Sequence, residues 1–335
     1  MFTRDEALRL VEGANSSTGL FGDFSPDRAQ TAHRLWRDLL VALHPDRTGP
    51  DDHRAHAAAA EVTRLHDRWA GSGSASVELR TARRAYRTGA LHRVGSVANV
   101  HLTDGPEVVK VVRNPALSPL LLAERDALTA LARLTDEHRW LAPYFPRLVD
   151  ASGEVGRGER AFTVLAPLTD GFHTLAEVKR AYPGGLDGRD WAWMHRRLLR
   201  AVAGAHLAGL VHGAITADNV LVHPERHGVV LAGWSFAVEL GQRPLAKDRT
   251  TAYPPEVAAG QALTGATDVW MAHALMLDLL APGERRQRLF AEGCTQDSPS
   301  ARPEAADLLD EYDDLLDDLY GPRVFRPFSM TDEGA

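Results

Sequence analysis

Residues 71–76 read GSGSAS, a run with almost no side chain to pack and high backbone entropy, and the hydrophobic pattern differs on its two sides. Upstream, Leu35, Leu39, Leu40 and Leu43 recur at helical spacing, and Val62, Leu65 and Trp69 form a second stripe. Between them HPDRTGPDD ends one helix before the next begins, because proline, glycine and aspartate break helical patterns. The pattern predicts a small all-α helical hairpin over residues 1–72, a linker at 73–77 and a different kind of domain beyond it.

Downstream, VGSVANVHL and EVVKVV are rich in β-branched residues and flank the turn TDGP, which predicts an antiparallel hairpin. A helix is expected from about Leu120 to Leu134, then strands at FPRLV and AFTVLAPL. A long helix from about Trp191 to Ala208 carries Met194, Leu198, Val202 and Ala205 on one face. VLVH and VVLAGW read as a short β pair in an otherwise helical remainder, and EAADLLDEYDDLLDDLYG keeps leucines at helical spacing, as a surface helix does. The fold class is α+β: a sheet-rich lobe over 78–170, a helical lobe over 171–327 and a tail at 328–335.

A chain of 335 residues is long enough for one large domain and one small one. Its 44% hydrophobic and 25% charged residues are those of a globular protein. A net charge of -7 gives no overall attraction to nucleic acid or an anionic membrane, and the basic residues between Arg80 and Arg93 read as solvated surface. The single cysteine, Cys294, cannot close an intramolecular disulfide, and MFTRDEALRL has no apolar signal core, so a cytoplasmic location is expected. No apolar run is long enough to span a bilayer. The histidines at 33, 53, 56 and 66 lack the tight spacing of a metal site and are expected to face solvent; no metal is expected.

From about Leu79 to Pro327 a series of motifs resembles the protein-kinase fold in its two-lobed form. Lys110 in VVKVV matches the lysine of V-A-I-K, and Glu124 in ERDALTAL matches its helix partner. In HLAGLVHGAITADNVLV, His212 and Asn219 stand at the ends of a segment similar to H-R-D-L-x-x-x-N. AYPPEV resembles A-P-E with Glu256 as the acid, TDVW supplies Asp268, and CTQDSPSARP supplies Arg302. The resemblance implies a structural Glu256–Arg302 salt bridge and structural roles for His212 and Asp268.

The departures from the family pattern bear on chemistry. The general-base aspartate aligns with Ala214 and the loop lysine with Thr216; in LAGWSFA, similar to a D-F-G segment, the metal-binding aspartate aligns with Gly233, or with Ala232 one residue earlier. RVGSVANV keeps one glycine, Gly95, of the three that let backbone amides approach phosphates. Phosphoryl transfer depends on positioning and charge neutralisation by a held metal, and a general base adds about 10²- to 10⁴-fold. The resemblance therefore implies a catalytically degenerate member, a pseudokinase, with no required cofactor. Lys110, Glu124, Gly95 and Asn219 mark a vestigial nucleotide site where ATP binding stays open; Lys110 and Glu124 can equally be a buried structural pair.

LWRDLLVALHPDR followed by AAAAEVTRLHDRWA resembles a J-domain of the DnaJ type, in which a basic helix ends at an H-P-D tripeptide, here His44, Pro45 and Asp46, with Arg34, Arg37 and Arg47 as its basic residues. Two departures are a long turn, SSTGLFGDFSP, after the first helix, and Trp69 where a tyrosine is expected. The resemblance implies docking on a DnaK-type heat-shock ATPase chaperone; the alternative is a helical extension in which H-P-D is only a turn. Three functions follow: a scaffold that recruits a chaperone to a bound protein client, an atypical nucleotide-dependent transferase using Asp218 or Glu239, or a small-molecule sensor using the degenerate cleft.

Overall fold

The computed structural model describes all residues except 1, 15, 23–28, 50–51, 73–76, 157, 249–250 and 331–335. The expected linker, apart from Val77, and positions 331–335 of the expected tail lie outside the described residues. The chain divides into two compact units, one of Met1–Arg80, Arg84–Val94 and Val100–Gly105, the other of Thr81–Arg83, Gly95–Asn99 and Pro106–Ala335.

The first unit holds helices α1 (Arg4–Glu12), α2 (Ser17–Phe21), α3 (Ala29–Leu43), α4 (Pro45–Thr48) and α5 (His53–Ser72). Thr3 and Glu6 form a reciprocal capping box that satisfies two orphan amides and starts α1. Ala55, Val62, Leu65 and Trp69 lie along one side of α5 and meet Leu8, Val11, Leu39 and Leu43 in a common core. The Trp69 indole donates to the Gly22 carbonyl at 2.7 Å, so its one polar atom is satisfied as the ring is buried.

Three local expectations change. The turn expected at SSTGLFGDFSP contains α2: the Ser16 hydroxyl caps it by accepting from Gly19 N at 3.0 Å, and Phe21 drops into the core. The break at HPDRTGPDD contains α4, with Pro45 at its first position, where the missing N–H costs nothing. His66, expected in solvent, is half-buried and stacked on Trp36 with centroids 4.8 Å apart. This unit also contains β1 (Glu78–Arg80), antiparallel to β2 (Ala85–Val94) with Glu78 opposite Arg87, and residues 100–103 of β3 (Ala98–Thr103).

In the second unit β6 (Phe162–Leu165) lies between β4 (Val108–Val112) and β5 (Leu148–Ala151), antiparallel to both, with Lys110 opposite Thr163. Helix α6 (Ser118–Glu137) buries Leu121, Glu124, Leu128 and Leu131, the i, i+3, i+7, i+10 face expected of an amphipathic helix. The helical part comprises α7 (Leu175–Ala181), α8 (Gly188–Leu207), α9 (Pro255–Ala258), α10 (Gly265–Leu279), α11 (Arg285–Cys294) and α12 (Asp307–Tyr320). Small strands are inserted: β7 (His173–Thr174), β9 (Val220–His223) and β10 (Gly228–Leu231) form one sheet, and β8 (Leu210–Val211) pairs with β11 (Val238–Glu239).

Helix α10 buries most of its length, Asp268 and His273 included, and leaves Asp278 exposed near its C-terminal end. The acidic α12 buries Leu308, Tyr312 and Leu316 and turns most of its carboxylates outward, while Asp313 is half-buried and pairs with Arg196. Among the described residues no helix is long and apolar enough to cross a membrane.

Candidate functional site

Strand β4 and helix α6 bring Lys110 and Glu124 together. Lys110 Nζ lies 2.5 Å from Glu124 Oε2, and the Glu124 side chain is only 2% exposed. Two further donors reach that carboxylate: Ser235 Oγ to Oε2 at 2.8 Å and Thr163 Oγ1 to Oε1 at 3.4 Å. A buried carboxylate is tolerable only when ion-paired and hydrogen-bonded, and here both oxygens are engaged.

The segment from Val211 to Val220 wraps around Asp268, which α10 holds fully buried. His212 N and Gly213 N donate to Asp268 Oδ2 and Oδ1 at 2.7 and 2.9 Å. The His212 ring lies between the Ala214 N–H, 3.2 Å from Nδ1, and the Ala232 carbonyl, 2.8 Å from Nε2. Those partners require an Nε2–H tautomer, neutral, and burial holds its pKa below the ordinary histidine value. His212 thus ties the loop before Asn219 to the end of β10.

Asn219 donates to the Ala214 carbonyl at 2.9 Å, while Thr216 accepts the amides of Asn219 and Val220 through its own carbonyl. Gly233 has φ 80°, and a Cβ built there would stand 2.2 Å from Asn219 Oδ1. Trp234, immediately after it, is fully buried; its indole donates to the Leu231 carbonyl at 2.8 Å and its ring packs edge-on against His212 and Phe145. It therefore belongs to the core of the helical part.

Ala214 is fully buried in an apolar cluster with Val97, Ala98, Val112, Leu121 and Phe236. Gly95 opens the turn that carries Val97, and its lack of a side chain is a steric need: a Cβ would lie 2.5 Å from the Ala98 carbonyl oxygen. Ser96 Oγ in the same turn donates to Asp248 Oδ2 at 3.3 Å. Val97 follows Gly95 at the spacing of the second glycine of G-x-G-x-x-G, and Ser235 stands at the glycine of D-F-G. Those two spacings were the available signals for residues that motif reading passed over.

Elsewhere, Arg302 and Glu256 form a buried bidentate pair at 2.7 and 3.0 Å, and Arg302 also donates to the carbonyls of Gln296, Asp297 and Ala266. Asp218 and Glu239 are exposed. Among the described residues no group of three or more His, Cys, Asp or Glu could hold a metal ion.

In the first unit, His44 follows the end of α3 and is exposed, as are Arg34, Arg37 and Arg47; Pro45 and Asp46 lie in α4. Trp36, Arg37, Leu40, Val41, His44 and Arg47 line a groove of about 370 Å³ along α3.

No protein-family model matches the chain. Among solved structures it is similar to vaccinia related kinase 3, with a TM-score of 0.56 at 16% sequence identity, covering 73% of this chain and 91% of that one. The chain carries a protein-kinase-like fold.

Proposed function

We propose that the chain is a pseudokinase that works as a binding and scaffold protein, with its N-terminal helices recruiting a DnaK-type heat-shock ATPase to a bound protein client in the cytoplasm. The observation that carries the first part is the setting of Ala214. A general base must reach a substrate hydroxyl, and position 214 is fully buried among apolar side chains.

The residues at the metal position do not fit a magnesium nucleotide. Gly233 offers no carboxylate, and a side chain there would collide with the Asn219 amide. Lys110 and Glu124 are satisfied by each other and by Ser235, a structural arrangement that needs no phosphate. In this reading no cofactor is required.

The chaperone part is supported by the exposed His44 at the end of α3 and by the groove beside it, apolar at its floor and basic at its rim. A groove of this kind suits a partner with apolar anchors and acidic flanks.

The test is a thermal-shift titration with ATP, with and without magnesium or manganese, beside a chaperone ATPase assay. The reading expects no metal-dependent shift at millimolar nucleotide, and ATPase stimulation that disappears in His44→Gln. A metal-dependent shift would overturn the first part; stimulation that is absent, or unchanged by the substitution, would overturn the second.

A further inference from the structure

The segment after α12 has no regular secondary structure, yet its side chains are held in detail. Arg323 pairs with Asp313 of α12, which fixes where the segment leaves the helix. Beyond it, Phe328 is 5% exposed and stacks on Tyr182, the residue that ends α7, at 5.4 Å between centroids. The Tyr182 hydroxyl donates to the Ser329 carbonyl at 2.5 Å. Arg326 reaches Asp190 Oδ1 at 3.0 Å, in the first turn of α8, and Asp187 Oδ1 at 3.2 Å, the residue that caps that helix.

Phe325 completes the pattern. It stacks at 4.4 Å on His227, which stacks at 4.1 Å and 7° on Trp193 of α8. His227 sits in the turn between β9 and β10 with φ 51°, the left-handed region that few non-glycine residues adopt. Its ring Nε2 is buried without a hydrogen-bond partner. Strained backbone of this kind persists where surrounding packing over-determines it, and it concentrates at binding sites.

The two sides of this contact differ in kind. Tyr182, Asp190, Trp193 and His227 are fixed by helices and a β turn, and Asp190 is buried enough that desolvation raises its pKa above the usual aspartate value. The segment opposite contributes two aromatic rings and one arginine, while Phe325 remains 64% exposed and Val324 86%. Folded domains read short linear segments through charge and aromatic complementarity together with hydrogen bonds to the segment's backbone, such as the one Tyr182 makes to Ser329.

We propose that this face is a peptide-docking groove, filled in cis by residues 325–329 and built to receive a partner segment with the same aromatic–Arg–Pro–aromatic order. Tethering gives the resident segment an effective concentration in the millimolar range, so it acts as a built-in competitor that a partner must displace. The groove lies in the helical part and does not depend on the pseudokinase or chaperone readings.

The test uses the full chain and a fluorescent synthetic peptide of residues 321–330. The combined variant Arg326→Ala, Phe328→Ala, which frees the groove, is expected to bind the peptide at least about 10-fold more tightly than the native chain does, since the tethered competitor is gone. Adding Asp190→Asn, or placing glutamate at the peptide's arginine that corresponds to Arg326, should abolish that gain. If the double variant does not fold, Arg326→Ala alone, which removes the ion pairs of the resident segment and so weakens it as a competitor, is measured in the same way, with a smaller gain in peptide affinity expected. Equal affinity for native and freed chains, no binding to a folded variant, or binding indifferent to Asp190→Asn would overturn the proposal. Dimerisation of the native chain by exchange of this segment would also overturn it, in favour of a second copy as the occupant.

Discussion

Ser235 Oγ and Lys110 Nζ converge on the same oxygen, Glu124 Oε2, at 2.8 and 2.5 Å. The serine comes from the segment similar to D-F-G, so this segment is fastened to α6 through a carboxylate that kinase-type sites use to orient a lysine. Glu124 is a junction of four elements: β4, β6, α6 and the segment after β10.

Removing Lys110 should therefore cost stability. Lys110→Met leaves a buried carboxylate with two hydroxyl donors and no counter-ion, and is expected to lower the unfolding free energy by about 3 kcal/mol. Urea denaturation measures this directly; a loss under about 0.5 kcal/mol, the range of neutral surface changes, would contradict a structural role.

Restoring the aspartates should not restore a metal site. Gly233→Asp requires Asn219 to turn away and give up its bond to the Ala214 carbonyl, and Ala214→Asp buries a carboxyl among apolar groups at a cost of about 3 kcal/mol. The double variant is expected to melt well below the native chain and to show no magnesium-dependent nucleotide shift in differential scanning fluorimetry.

Acid should weaken the helical part through its buried histidines. His195, His212 and His273 are fully buried, and burial lowers the pKa of each, that of His273 to about 4. The folded chain disfavours their protonation while the unfolded chain protonates them near pH 6.5, so their contribution is complete above about pH 6.5 and declines as pH falls below it, for His273 down to about 4. Each histidine can contribute up to about 1.4 kcal/mol per pH unit in that window. Unfolding free energies measured from pH 7.5 to 5 should fall accordingly, and His273→Gln should reduce the slope by about one proton.

His44→Gln should separate recognition from stability. The side chain is exposed at the end of α3, so the change is expected to shift unfolding by no more than about 0.5 kcal/mol while removing stimulation of a DnaK-type ATPase. A substantial drop in melting temperature would show that His44 supports the helices.

Periodicity and punctuation made most elements legible. Helical spacing located α5, α6, α8 and α12, β-branched runs located β4, β6, β9 and β10, and the order of the kinase-like motifs anticipated a fold that the likeness to vaccinia related kinase 3 now supports. Element bounds and the α2 and α4 turns were less legible, because a single capping serine or a proline at a first turn decides them locally.

The sequence by itself determined which chemistry positions 214 and 233 can offer, since neither alanine nor glycine carries a carboxylate whatever the fold. Only the tertiary structure decided what surrounds them. That Ala214 is sealed by Val97 and Phe236, that Ser235 binds Glu124, and that residues 325–329 lie against Tyr182, Trp193 and His227 all depend on contacts between segments far apart in the chain. Motif spacing marks positions 97 and 235 but not what they touch, because burial and hydrogen-bond satisfaction are properties of the packed chain.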